Sequence, residues 1–201
     1  PAFKDERYIR VDGKPLFLIY KPLNSEKIKD FITLWRKLAN ENGLPGIYFV
    51  GHTHKFHEDR NLIMEYGFDS VTPFRLSRAS KRGTPYYQRL LHKLGFRLLI
   101  SKYKNTVKHL NQASDGDEDV IPALIPNWDN SPRSGVRARI ITGSTPELFE
   151  QHVKNTLSLV EKKKNKLVFL KSWNEWAEGN YVEPDKTHGR GYLDVLKKHL
   201  F

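Results

Sequence analysis

The chain has 201 residues, 34 Lys and Arg against 23 Asp and Glu, and no cysteine. That length allows one domain with a sizeable core, and the missing cysteines exclude disulfides and thiolate metal sites. A formal charge of +11 raises the question of an anionic partner: nucleic acid, acidic polysaccharide or phosphate-bearing lipid. No nucleic-acid motif accompanies it. The cations read instead as scattered over solvated helix faces, as in EKKKNK (Glu161–Lys166), where they complement a helix C-terminus.

In chain order, the first apolar run is PLFLIY (Pro15–Tyr20). SEKIKDFITLWRKLANENG (Ser25–Gly43) follows as a helix, with Ser25 as the N-cap signal, a Gly stop, and apolar residues at spacings of three and four. GIYFVG (Gly46–Gly51) is the second strand. It opens into HTHKFH, where His52 and His54 alternate and so project to one side of an extended segment. A metal site needs a third ligand, usually with a carboxylate, so contact with a polar ligand is the alternative and a plain polar loop a third. A short helix over Glu58–Tyr66 leads to DSVTPF (Asp69–Phe74).

Arg75–Leu99 is expected to be an elaborated loop with a short helix, followed by a helix over Tyr103–Ala113. ASDGDED holds an Asp115-Gly116-Asp117 pair, of a kind that holds a divalent ion against a diphosphate, or simply a solvated acidic turn. VIPALIP (Val120–Pro126) is the fourth strand. Beyond it come Trp128, Asp129, Asn130 and Arg133 in NWDNSPRSG, read either as binding residues or as a turn capped by Asp129 or Asn130. Thr145–Lys164 is a helix capped by Thr145 with Pro146 in its first turn. LVFLKSW (Leu167–Trp173) is the fifth strand, and a helix over Tyr192–His199 ends the chain.

Near-continuous apolar strands alternating with helices predict parallel βα units. A complete (β/α)₈ barrel takes about 250 residues. The expected fold is therefore the last five βα units of a TIM-type barrel, one truncated domain over residues 1–201 that lacks the N-terminal half of the barrel. A doubly wound sheet is the alternative, without its Gly-rich phosphate turn. The chain opens on Pro1, with no initiator Met and nothing like a signal peptide. No apolar run approaches the roughly 18 residues of a membrane helix. A cytoplasmic piece of a longer protein is expected, one that associates and is inactive on its own because its parallel edges are open.

The densest chemistry follows the fifth strand, in KSWNEWAEGNYVEPD (Lys171–Asp185). Chemistry in parallel barrels sits at the C-terminal ends of strands. Two carboxylates, Glu175 and Glu178, three residues apart can divide acid and base roles if their surroundings differ. A retaining glycosidase holds its pair about 5–5.5 Å apart, a distance within reach of a tight turn. Trp173 and Trp176 would supply flat apolar faces, Asn174 a polar contact, and Glu183 either a hydroxyl contact or a brace. The competing reading is a helix N-terminus that favours acids, with the indoles in the core.

SWNEWAEGNYVEPD resembles the signature of the WbsX-like proteins of polysaccharide and O-antigen biosynthesis. These are similar in turn to glycoside hydrolase family 99, the endo-α-mannosidases and mannanases, with their Asn-Glu-Trp-His-Glu-Gly motif followed by Ile-Glu-Pro. Phe3–Pro22, Ile121–Gly135 and Gly143–Val153 resemble further family segments in the same order. The resemblance implies an oligosaccharide or polysaccharide substrate and no cofactor. It casts Glu175 as a base on the sugar 2-hydroxyl and Glu178 as general acid/base at the glycosidic oxygen. Ala177 stands where those hydrolases have His, which leaves the sugar open. A nucleotide-sugar transferase and a non-catalytic glycan-binding module are the rival functions.

Overall fold

The computed structural model describes residues 2–95 and 99–201. They form two compact units. The first comprises Pro1–Phe74, Asp117–Ile121 and Lys163–Asn165; the second comprises Arg75–Gly116, Pro122–Lys162 and Lys166–Phe201.

In the first unit a short strand β1 (Arg10–Val11) turns back antiparallel onto β2 (Lys14–Tyr20). β2, β3 (Tyr48–Thr53) and β4 (Ser70–Pro73) then run parallel, joined by helices α1 (Ile28–Glu41) and α2 (Phe56–Glu65). β3 is the central strand. Phe49 and Val50 are fully buried, as expected when both faces of a strand are covered. The core gathers Ile28, Ile32 and Ala39 of α1, Phe56 and Ile63 of α2, and Phe49, Phe68, Val71 and Val120. Gly51 lets α2 close on β3, because a Cβ there would lie 2.6 Å from the Ile63 side chain. Asp69 ties sheet to helix: its Oδ2 accepts from the Phe49 amide at 2.8 Å and from Arg36 at 2.7 Å.

The second unit holds three small sheets. β5 (Leu99–Lys102) pairs parallel with β8 (Arg139–Thr142), and β7 (Trp128–Asp129) pairs antiparallel with β8. β6 (Ala123–Leu124) pairs parallel with β9 (Phe169–Leu170), and β10 (Asn174–Glu175) forms a hairpin with β11 (Asn180–Tyr181). Its helices are α3 (Leu76–Arg82), α4 (Tyr86–Lys93), α5 (Tyr103–Thr106), α6 (Ser131–Ser134), α7 (Pro146–Val160) and α8 (Gly191–Leu200). Phe149 and Val153 of α7 pack with Tyr192, Val195 and Leu196 of α8 over Leu124 and Val182. Thr145 caps α7 as the sequence indicates, its hydroxyl oxygen accepting from the Leu148 amide at 3.4 Å. Buried in this unit, His152 places Nδ1 3.0 Å from Asn111 Oδ1. Burial pushes its pKa down to about 4, against a smaller opposing pull from the Ala123 carbonyl.

The chain is thus a mixed α/β fold with parallel pairing in both units. Several expectations need correction. Ser25 does not cap α1, which starts at Ile28 behind a turn. Arg75–Leu99 holds two helices, α3 and α4; positions 96–98 of that stretch lie outside the described residues. β5 and β8 were not anticipated. VIPALIP and LVFLKSW pair over only two residues each, since Pro122 and Pro126 have no N–H for a ladder. The Tyr103–Ala113 helix shrinks to α5 and a 3₁₀ turn ending at His109. In EKKKNK, Lys163 is buried and donates to the Val120 carbonyl, so that run is not wholly solvated. Among the described residues no helix is long and apolar enough to cross a membrane.

Candidate functional site

Glu175 and Glu178 sit on the β10–β11 hairpin rather than at a helix N-terminus. Asn174 pairs with Tyr181 and Glu175 with Asn180 across the two strands. A single 3₁₀ turn, Trp176–Glu178, joins them and leaves through Gly179 at φ +54°. That left-handed conformation suits glycine. A Cβ there would also lie 3.3 Å from the Asp129 Cβ, so the turn rests directly on the end of β7. The fully buried Asn180 anchors the hairpin: its Oδ1 accepts from the Ser172 amide at 3.2 Å and its carbonyl from the Ser172 hydroxyl at 2.6 Å.

The two carboxylates differ in setting. The Glu178 side chain is 12% exposed and that of Glu175 39%. One guanidinium reaches both. Arg133 Nη1 donates to Glu178 Oε1 at 2.9 Å, and Arg133 Nη2 lies 3.9 Å from Glu175 Oε1. The planar fork of arginine suits such bridging. Arg133 belongs to α6, 45 positions before Glu178 in the chain.

The indoles divide. Trp173 and Trp176 are 52% and 50% exposed, which excludes the core reading for both. Trp176 stacks on Tyr181, ring centroids 3.6 Å apart and planes 14° apart. It donates its indole N–H to Glu183 Oε2 at 2.7 Å. One face of the ring and its N–H are therefore engaged, and Glu183 braces the indole. Tyr181 in turn bonds Asp185 at 3.2 Å, and burial, then the charge of Asp185, raises its phenol pKa. Trp128, by contrast, is buried, with the Lys171 ammonium 5.5 Å from its ring centroid. Asp129 Oδ1 accepts from the Ser131 amide at 2.9 Å, and Asn130 Oδ1 from the Arg139 amide at 2.8 Å. These two side chains brace the turn that presents Arg133.

His52 and His54 lie in the first unit, at the end of β3. Their rings are 5.1 Å apart, as alternation requires. Tyr20, opposite His52 in the β2–β3 register, stands 5.0 Å from its ring and brings its hydroxyl 3.4 Å from His54 Nε2. Phe74 packs on His54 at 4.8 Å. A cleft of about 430 Å³ adjoins, lined by Lys21, Asn24, His52, His54, Lys55 and Asp59 among others. No group of three potential ligands among the described residues could hold a metal ion. The Asp115–Asp117 pair is occupied: buried Asp115 bonds Arg75, and Asp117 pairs with Arg60 at 2.6 Å.

Sequence reasoning did not single out Tyr181, Asn180, Tyr20 or Phe74. A weak turn signal existed for the first two in Gly179, since glycine supplies the positive φ that a tight turn takes.

Residues 1–196 match the family described as Glycosyltransferase WbsX. Two relatives are the WxcX proteins of Xanthomonas campestris pv. campestris, strains B100 and ATCC 33913. Each is 26% identical over 200 residues, covering 98% of this chain and 28% of the relative. The chain therefore spans 28% of the length of those curated relatives. No solved structure matches it. With nearly every residue inside the match, the chain belongs to the WbsX glycosyltransferase family.

Proposed function

We propose that this chain carries the acid pair of a carbohydrate-active enzyme that acts, with retention, on α-mannoside-like glycosidic bonds of surface polysaccharide or O-antigen glycans. The observation that carries this reading is the single guanidinium reaching both Glu175 and Glu178 on a hairpin beside two half-exposed indoles. Glu175 takes the proton of the sugar 2-hydroxyl, whose oxygen attacks the anomeric carbon. Glu178 gives its proton to the departing glycosidic oxygen. Water then opens the strained intermediate at the anomeric carbon, losing a proton to Glu178 while the 2-oxygen recovers one from Glu175. A substrate that reaches Glu178 has to share or displace its contact with Arg133. Trp173 and the free face of Trp176 offer stacking surfaces for sugar rings. Asn174 completes the proposed contacts around the acid pair, with Glu183 acting through Trp176 and Asp129 and Asn130 through Arg133, while the buried Trp128 packs rather than stacks. In the first unit, His52 and His54 are proposed separately as contacts for sugar hydroxyls. In this reading the parallel units belong to a (β/α)₈-type barrel, with the rest of it elsewhere in the longer protein.

The family description favours a second reading, transfer from an activated sugar donor. Against it stands the engagement of Asp115 and Asp117 with arginines. The test uses the intact protein with α-manno-oligosaccharides and polysaccharide repeat units, without nucleotide sugar, and follows product masses. Release that vanishes in both Glu175→Gln and Glu178→Gln supports the acid pair. Mass gain only with a nucleotide sugar supports transfer, and glycan binding without either product supports a binding module.

A further inference from the structure

The cations are not scattered. Residues 70–114 contain ten Lys and Arg and no Asp or Glu, leaving 24 against 23 in the remainder, so this stretch accounts for ten of the eleven net charges. In its middle lies α4, an amphipathic helix mounted the wrong way round for a soluble surface. Tyr86, Tyr87, Leu90, Leu91 and Leu94 fall within an arc of about 140° at 100° per residue. That arc faces out. Tyr86 is 72% and Leu94 59% exposed, Tyr87 and Leu90 are exposed as well, and no residue of α4 is buried. The half-buried members of the helix include the polar Gln88 and His92 on its other side.

Cations frame this apolar arc. Arg89 and Lys93 are exposed at its edge, and Lys81 from α3 shares a concavity with Tyr86, Arg89, Leu90 and Lys93. β5 packs beside α4 and turns Ile100 and Lys102 outward. An exposed contiguous apolar face is unusual on a soluble domain. Aliphatic side chains find no partner on a nucleic-acid backbone, and a cationic rim does not suit self-association.

We propose that α4 and its cationic rim form a docking surface for an anionic lipid membrane. The helix lies in the plane of the interface, with Leu90 and Leu94 entering the acyl boundary and Tyr86 and Tyr87 at headgroup depth. Lys81, Arg89 and Lys93 pair with lipid phosphates. At eight residues, the helix lies on a membrane and does not span one. This surface is independent of the acid hairpin and of the reading given to it.

The test is sedimentation of the intact protein with phosphatidylglycerol–phosphatidylcholine vesicles and with pure phosphatidylcholine vesicles at low salt. The protein is expected to partition onto the anionic vesicles only. Combined Lys81→Gln, Arg89→Gln and Lys93→Gln should weaken partitioning about a hundredfold, and Leu90→Ser with Leu94→Ser about tenfold. Product release on soluble glycan should stay unchanged in both. Three outcomes overturn the proposal. One is no partitioning of the unaltered protein. Another is partitioning that survives the Leu substitutions, or that free RNA competes away, which marks a general polyanion site. The third is a Leu-dependent change of mass in light scattering, which marks a face between two copies.

Discussion

Lowering the pH should destabilise the second unit through one buried imidazole. His152 is fully buried, and burial holds its folded pKa at about 4 against an ordinary 6.5. The native state keeps the ring neutral, whereas the unfolded chain takes up a proton below about 6.5. The unfolded state therefore binds more protons between those values, and stability falls as pH falls through that window. At 1.36 kcal/mol per pH unit the ceiling is about 3.4 kcal/mol, of which about 2 kcal/mol is lost between pH 7 and pH 5. Other histidines and carboxylates titrate in the same range, so the measurement is a difference. Urea unfolding of the unaltered protein and of His152→Gln is followed at pH 7 and pH 5. The amide can still bond Asn111 but cannot titrate. The unaltered protein should lose about 2 kcal/mol more than the variant over that interval. Equal losses in the two proteins would refute the argument.

The site and the core make further predictions. Arg133→Gln should lower product release by the intact protein at least about tenfold, since it removes a charge-assisted bond to Glu178; Arg133→Lys should restore only part, because a point-charge ammonium lacks the planar fork that spans the two acids. Gly179→Ala should destabilise by about 1–2 kcal/mol from its left-handed backbone alone, with more from the push on Asp129, as urea midpoints will show. Arg75→Met should cost about 3–5 kcal/mol by stranding the buried Asp115 carboxylate. Adding Asp115→Leu to it should recover much of that loss in the same assay.

The parallel run β2–β3–β4 with α1 and α2 was legible, because long periodic helices separate continuous apolar strands. α7 announced itself by Thr145 and Pro146. β5 and β8 were not, since each is four residues long, carries Lys102 or Arg139, and has few buried positions. The acids declared themselves by spacing and by their neighbours. That Arg133 would join them was not visible, because only the path through β7 and α6 brings it there. The two readings of Asp129 and Asn130 could not be separated from sequence, since the same residues brace turns and bind ligands. The concentration of cations, in contrast, stood in plain view as 45 consecutive positions without an acid.

The hairpin that presents Glu175 and Glu178 is only two residues per arm, and β6 and β9 pair over two residues as well. Such elements open at far lower free energy than β3, with its buried neighbours on both sides. In hydrogen exchange the amides of β10 and β11 should therefore exchange early and those of Phe49 and Val50 last. Ordering by a bound ligand would register first as slowed exchange in this least protected segment, which gives a readout of occupancy that needs no turnover.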